Sequence, residues 1–254
     1  MRALRPVERS PKVYGAVVDF IESLRDSVDR FSLAVRSGPL DAPVAGCPGW
    51  DLAELTRHLG FVHRWARLAA ATMVPPDRSG IETAPGDISQ LGEWFDTGAA
   101  SLIDVLSRLD PEAPTWHPFD VPMLAAVWPR RQAHEALIHA WDAEQAIAGV
   151  STPMDPSMAA DGIAEYFEVI IPRVISRDGR VVPVGTLAVN CTDAGTRLVV
   201  RSEANIVTID PAAAVQAELT GTADALSLAL WGRRPLTSPP THPLTQAWLD
   251  FGGS

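Results

Sequence analysis

The apolar residues of this chain change period once, after Gly179, and that change constrains the fold more than any other feature. Upstream they recur at three- and four-residue intervals in long runs, the mark of helices that each bury one stripe. The first run covers 13–35 through Val17, Phe20, Ile21, Leu24, Val28 and Phe31, and stops before Gly38-Pro39. Asp51 followed by Glu54 has the form of a capping box. A second helix therefore begins near Leu52 and continues to about Met73, where Pro75-Pro76 ends it. A third is expected over 88–109. A fourth is expected over about 130–148, with Pro129 suited to its first turn and Gly149 closing it. A fifth is expected over 157–175, with Pro172 near its end. Downstream the pattern becomes short β-branched runs between turn signals, at 184–190, 197–201, 206–209 and 215–219. Helical segments at 223–231 and 245–251 follow. The expected fold is α+β, a helical domain over 1–178 and a small α/β domain over 179–254.

Composition narrows the partners. The formal net charge of −10, without a basic patch, speaks against nucleic acid and against an anionic membrane surface. No uninterrupted apolar run reaches the ~18 residues of a membrane span. Residues 1–12 carry charge without an apolar stretch, unlike a secretory signal. Two cysteines, Cys47 and Cys191, are too few for a disulfide framework, so a reducing cytoplasm is the expected compartment. Lys12 is the single lysine among 21 basic residues, a bias that fits a GC-rich genome.

The run from Arg131 to Asp142 carries the chemistry. Glu135 and His139 are four residues apart, which on a helix leaves them about 40° apart around the axis and one turn apart along it. Both can reach one point. His58, inside the second helix beside Leu55, Leu59 and Val62, is the candidate third ligand from a facing helix. Two His and one carboxylate with an open position are how catalytic zinc is often held. His134 lies about 140° from His139, and His63 the same from His58, so both are expected at the surface or behind a ligand. Asp142, three residues past His139, is a candidate acceptor for its second ring nitrogen. Cys47 is expected to be a buried, inert thiol, and His117 receives no role.

The segments Cys47-Pro48-Gly49-Trp50-Asp51-Leu52-Ala53-Glu54-Leu55-Thr56-Arg57-His58 and His134-Glu135-Ala136-Leu137-Ile138-His139-Ala140-Trp141-Asp142 together resemble the mycothiol-dependent maleylpyruvate isomerase family of the DinB-like superfamily. Leu228-Ala229-Leu230-Trp231-Gly232-Arg233 is similar to that family's C-terminal domain. The resemblance implies a DinB-like four-helix bundle holding a divalent metal, usually zinc, on His58, Glu135 and His139. It implies mycothiol as the thiol cofactor, a small electrophilic substrate, and an actinobacterial source. It also implies a C-terminal arginine, here best matched by Arg233, that contacts thiol or substrate. The implied activity is isomerisation or thiol S-transfer by a metal-activated thiolate. A metal-dependent hydrolase and a non-enzymatic thiol or metal sensor are the alternatives on the same bundle.

Overall fold

The computed structural model describes residues 18–252. The start of the first helical run at Val13 and the segment 1–12 lie outside the described residues. Four helices form a bundle: α1 (Phe20–Ser37), α2 (Leu52–Thr72), α3 (Leu91–Leu106) and α4 (Val127–Ala148). Helix α1 packs on α4 and α3, and α2 packs on α3 and α4. Phe31, Leu55, Leu59, Phe95, Leu102 and Trp128 fill the core at under 2% exposure. Phe31 of α1 meets Phe95 of α3 with ring centroids 4.6 Å apart.

Local chemistry sets the phase of each helix. Asp51 accepts from the Glu54 backbone N–H at 2.7 Å while Glu54 accepts from the Asp51 N–H at 3.0 Å, so the capping box forms in full. Helix α2 ends at Thr72 with Met73 in a left-handed cap. A Cβ on Gly60 would stand 2.2 Å from the Trp94 ring, so α2 and α3 approach this closely only over glycine. Helix α4 starts three residues before the expected position, with Pro129 still in its first turn, and closes on the left-handed Gly149. The run expected over 88–109 is a 3-10 turn (Ile88–Gln90) followed by α3.

The fifth helix differs more. It comprises α5 (Pro156–Glu165), a π-helical turn (Tyr166–Ile170) and α6 (Ile171–Asp178), continuing past Pro172 to Gly179. Proline has no N–H to donate and its ring crowds the carbonyl four residues back, which would break a regular helix. Here the wider turn, closed by the Ile171 N–H on the Tyr166 carbonyl, widens the helix just ahead of the ring. The helical run packs on α4, on β3 and on α7.

A four-stranded sheet follows, in the order β3-β2-β1-β4. Its strands are β1 (Gly185–Cys191), β2 (Thr196–Glu203), β3 (Ile206–Ile209) and β4 (Ala217–Gly221). β1 and β2 pair antiparallel, as do β2 and β3, while β4 lies parallel to β1. Helices α7 (Ala223–Leu230) and α8 (Pro243–Gly252) pack on β1 and β4. Trp248 is fully buried there against Phe167 of the π turn. Among the described residues no helix is long and apolar enough to cross a membrane.

Candidate metal centre

Helices α2 and α4 face each other, and His58, Glu135 and His139 meet between them. His58 Nε2 lies 3.3 Å from Glu135 Oε1, and His139 Nε2 lies 3.6 Å from the same oxygen. The three donor atoms all fall within 4.8 Å of one another. Ligands about 2.0–2.1 Å from a tetrahedral zinc stand roughly 3.3 Å apart, a spacing that these two separations approach. His58 is the most open of the three at 35% side-chain exposure, against 17% for Glu135 and 9% for His139. The Trp50 ring lies 4.9 Å from that of His58, tilted 52° to it.

Both donors on α4 are braced from behind. The Arg131 guanidinium, one turn before Glu135, pairs with Glu135 Oε2 and with Glu165 of α5. Burial raises the Glu135 pKa, but the charge of Arg131, helped by hydrogen bonds from His139 and His58, brings it well below the usual carboxylate value. His139 Nδ1 faces Asp142 Oδ2 at 3.0 Å. Burial disfavours the imidazolium, yet hydrogen bonding to Asp142, Cys47 and Glu135 outweighs it and raises the His139 pKa well above 6.5. For Asp142 burial raises the pKa, while His139 and Arg233 lower it further, so it stays a carboxylate. An acceptor-only carboxylate obliges His139 Nδ1 to donate, which turns Nε2 toward Glu135 and His58.

Residues treated as bystanders in the sequence sit closer to the centre than expected. Cys47 is half-buried, with Sγ 3.7 Å from Asp142 Oδ2 and 3.7 Å from Arg233 Nη2. A short loop delivers it: Val44 donates to the Trp50 carbonyl, Trp50 to the Cys47 carbonyl, and Gly49 takes the positive φ of 85° that the turn needs. Gly46 leaves the space for Asp142, since a Cβ there would lie 2.1 Å from its Oδ1. Arg131 and Glu165 carried no role in the sequence reading either. Arg131 stands four residues before Glu135, and that i,i+4 spacing was the signal for it.

His134, His63 and His117 are inside rather than at the surface. His134 bonds Asp161 at 2.8 Å on the far side of α4, within an ion cluster that includes Arg130 and Glu168. His63 is fully buried beside Phe95, with neither ring nitrogen hydrogen-bonded, and burial pushes its pKa down to about 3. Neighbours from other helices, which helical angles alone do not reveal, cover both rings: Phe95 beside His63, and Phe20 with Asp161 beside His134. His117 is buried in the loop after α3 and faces the Pro122 carbonyl at 3.0 Å.

Residues 21–144 match the family described as the mycothiol maleylpyruvate isomerase N-terminal domain. Among solved structures, the chain is similar to a crystal structure of the mycothiol-dependent maleylpyruvate isomerase and to one of a histidine-to-alanine mutant of it. Each has a TM-score of 0.58 at 14% identity, over 85% of this chain and 89% of that one. At that identity the likeness establishes the shared fold. A search of the curated proteins gives no match.

Proposed function

With residues 21–144 belonging to the mycothiol maleylpyruvate isomerase N-terminal domain family, we propose that this chain is an enzyme that uses a divalent metal and mycothiol to isomerise, or to S-conjugate, a small electrophile. The observation that carries this reading is the convergence of His58 Nε2, Glu135 Oε1 and His139 Nε2 at separations of 3.3 and 3.6 Å. Two imidazoles and one carboxylate select a borderline metal, zinc before magnesium or calcium. A divalent metal held by these residues would lower the pKa of a bound thiol, so that it would release its proton to solvent near neutral pH and offer a thiolate able to add to and leave a conjugated double bond or remain on the electrophile.

The chain's own residues do the rest. His58 and His139 each aim Nε2 at the centre, where a metal would displace the proton that His139 holds, and Glu135 brings one negative charge. A divalent centre on this donor set keeps a net positive charge, which favours an anionic sulfur. Arg131 holds the second oxygen of Glu135 and stops the carboxylate from swinging away. Asp142 fixes the tautomer and angle of His139. The partly open flank at His58, beside Trp50, is the side from which thiol and electrophile approach.

Metal analysis of the purified protein, beside a His139→Ala variant, tests the centre, and calorimetric titration with mycothiol tests the cofactor. The expected result is one zinc per chain, lost in the variant, with mycothiol binding that depends on the metal. Absence of stoichiometric metal and of thiol binding in the wild type would overturn the reading. Turnover of ester or amide substrates in thiol-free buffer would replace it with a hydrolase.

A further inference from the structure

Arg233 lies just past α7 and is aimed by a complete helix cap. The Gly232 N–H bonds the Ala229 carbonyl at 3.0 Å and the Arg233 N–H bonds the Leu228 carbonyl at 2.8 Å, with Gly232 at a φ of 67°. This is a Schellman motif, and it points the side chain back to the bundle along a fixed path. Four of the five N–H groups of the guanidinium are then engaged. Nε donates to Asp142 Oδ1 at 3.3 Å, Nη2 to Asp142 Oδ2 at 3.1 Å and to Cys47 Sγ at 3.7 Å, and Nη1 to the Trp231 carbonyl at 2.9 Å. The side chain is 12% exposed, and that of Asp142 is fully buried.

A guanidinium grips a substrate carboxylate with two parallel N–H groups on one edge. On Arg233 the edge formed by Nε and Nη2 is already closed on Asp142, and Nη1 is held by backbone. Asp142 spends Oδ2 on His139 as well. We propose that Arg233 is a positioning residue: it locks Asp142, Asp142 locks the imidazole of His139, and the C-terminal domain thereby sets the angle of a metal donor without touching metal, thiol or substrate. Cys47 completes the arrangement as a third partner of the same carboxylate. The proposal rests on the metal-site reading above and deepens it. It predicts that Arg233 and Asp142 act in series.

The test is zinc affinity by chelator competition on wild type, Arg233→Met, Arg233→Lys, Asp142→Asn and the Arg233→Met/Asp142→Asn pair, with no thiol or substrate present. Loss of a residue that orients a metal donor typically weakens binding roughly 10–100-fold. Arg233→Met is expected in that range, Arg233→Lys to recover part of the loss through a single charged bond, and the double variant to be no weaker than Asp142→Asn alone. A second readout needs no metal: exchange of the His139 Nδ1 proton by NMR, slow in wild type and at least tenfold faster in Arg233→Met. Zinc affinity and proton protection unchanged in Arg233→Met would overturn the proposal, and weaker calorimetric binding of mycothiol to the zinc-loaded variant alongside them would make Arg233 a thiol contact. If wild type binds no zinc, the metal reading fails, and proton exchange alone decides the clasp, faster supporting it and unchanged refuting it. Where methionine at 233 unfolds the chain by circular dichroism, Arg233→Gln takes its place under the same criteria.

Discussion

Replacing Arg131 with methionine removes a cation paired with both Glu135 and Glu165, and its cost can be worked out from burial. The Arg131 side chain is 5% exposed, Glu165 is 2% and Glu135 is 17%. Methionine fills the space but leaves Glu165 without its paired guanidinium and Glu135 with only the imidazoles of His58 and His139 as partners. Removing one partner of a buried ion pair costs about 3–5 kcal/mol, because the remaining charge stays desolvated. In a chain of this size each kcal/mol moves the melting temperature by roughly 2–4 °C, so metal-free Arg131→Met should melt some 6–20 °C below wild type.

The deficit carries a pH signature. In the wild type the folded pKa of Glu135 is below its unfolded value, so its stabilising contribution is present above about pH 4.5 and is lost as pH falls through the folded pKa. Without Arg131 the burial that raises the Glu135 pKa loses its strongest opponent, and the carboxyl takes up a proton at higher pH. The melting deficit of the variant is therefore largest at pH 7–8 and shrinks toward pH 4. Zinc narrows it too, because a cation on Glu135 replaces part of the missing charge, whereas Glu165 gains nothing. Calorimetry on metal-free and zinc-loaded protein from pH 4 to 8 reads all three effects. A metal-free variant melting within 2 °C of wild type at pH 7.5 would refute the reasoning, and so would a deficit that grows on acidification.

His63 gives a second pH prediction, with the same direction on acidification. Its folded pKa is about 3 against 6.5 for the free side chain, so the unfolded chain binds more protons in that window and stability falls as pH drops from 6.5 toward 3. The slope approaches about 1.4 kcal/mol per pH unit, and His63→Leu, which removes two unpaired nitrogens, should melt higher than wild type at pH 5 in differential scanning calorimetry. Equal melting temperatures at pH 5 would contradict the buried, neutral ring. Gly46→Ala tests the loop that carries Cys47: the new Cβ would stand 2.1 Å from Asp142 Oδ1 and 3.1 Å from Arg233 Nε. Asp142 can yield only by giving up His139 or Arg233, so zinc affinity should fall about tenfold in chelator competition, with the fold intact by circular dichroism.

What the sequence made legible is what short-range rules govern. Asp51 and Glu54 sit three residues apart and set the start of α2, which fixes where His58 points. Glu135 and His139 sit four apart on α4, which brings their donor atoms to one side. The strands and α7 follow from alternation and turn residues within about ten positions of each other. The π turn ahead of Pro172 was not legible, because a proline in a helix can end it, kink it or be absorbed, and packing against β3 and α7 decides between these outcomes. The braces of the centre were hidden for a stronger reason. Arg131 meets Glu165 34 residues away, Cys47 meets Asp142 across 95, and Arg233 meets Asp142 across 91. No helical or strand period extends that far. Yet it is these long contacts that distinguish a metal site from an ordinary polar pair. Any exposed helix with Glu and His at i and i+4 brings the two side chains together, and solvent then lets both rotate. Here each of the two donors on α4 is fixed by a charge from beyond residue 150, Glu135 by way of Arg131 and Glu165, His139 by way of Asp142 and Arg233. The α2 and α4 faces supply the donor atoms of the proposed centre, and contacts from the segments that follow the bundle restrain two of the three.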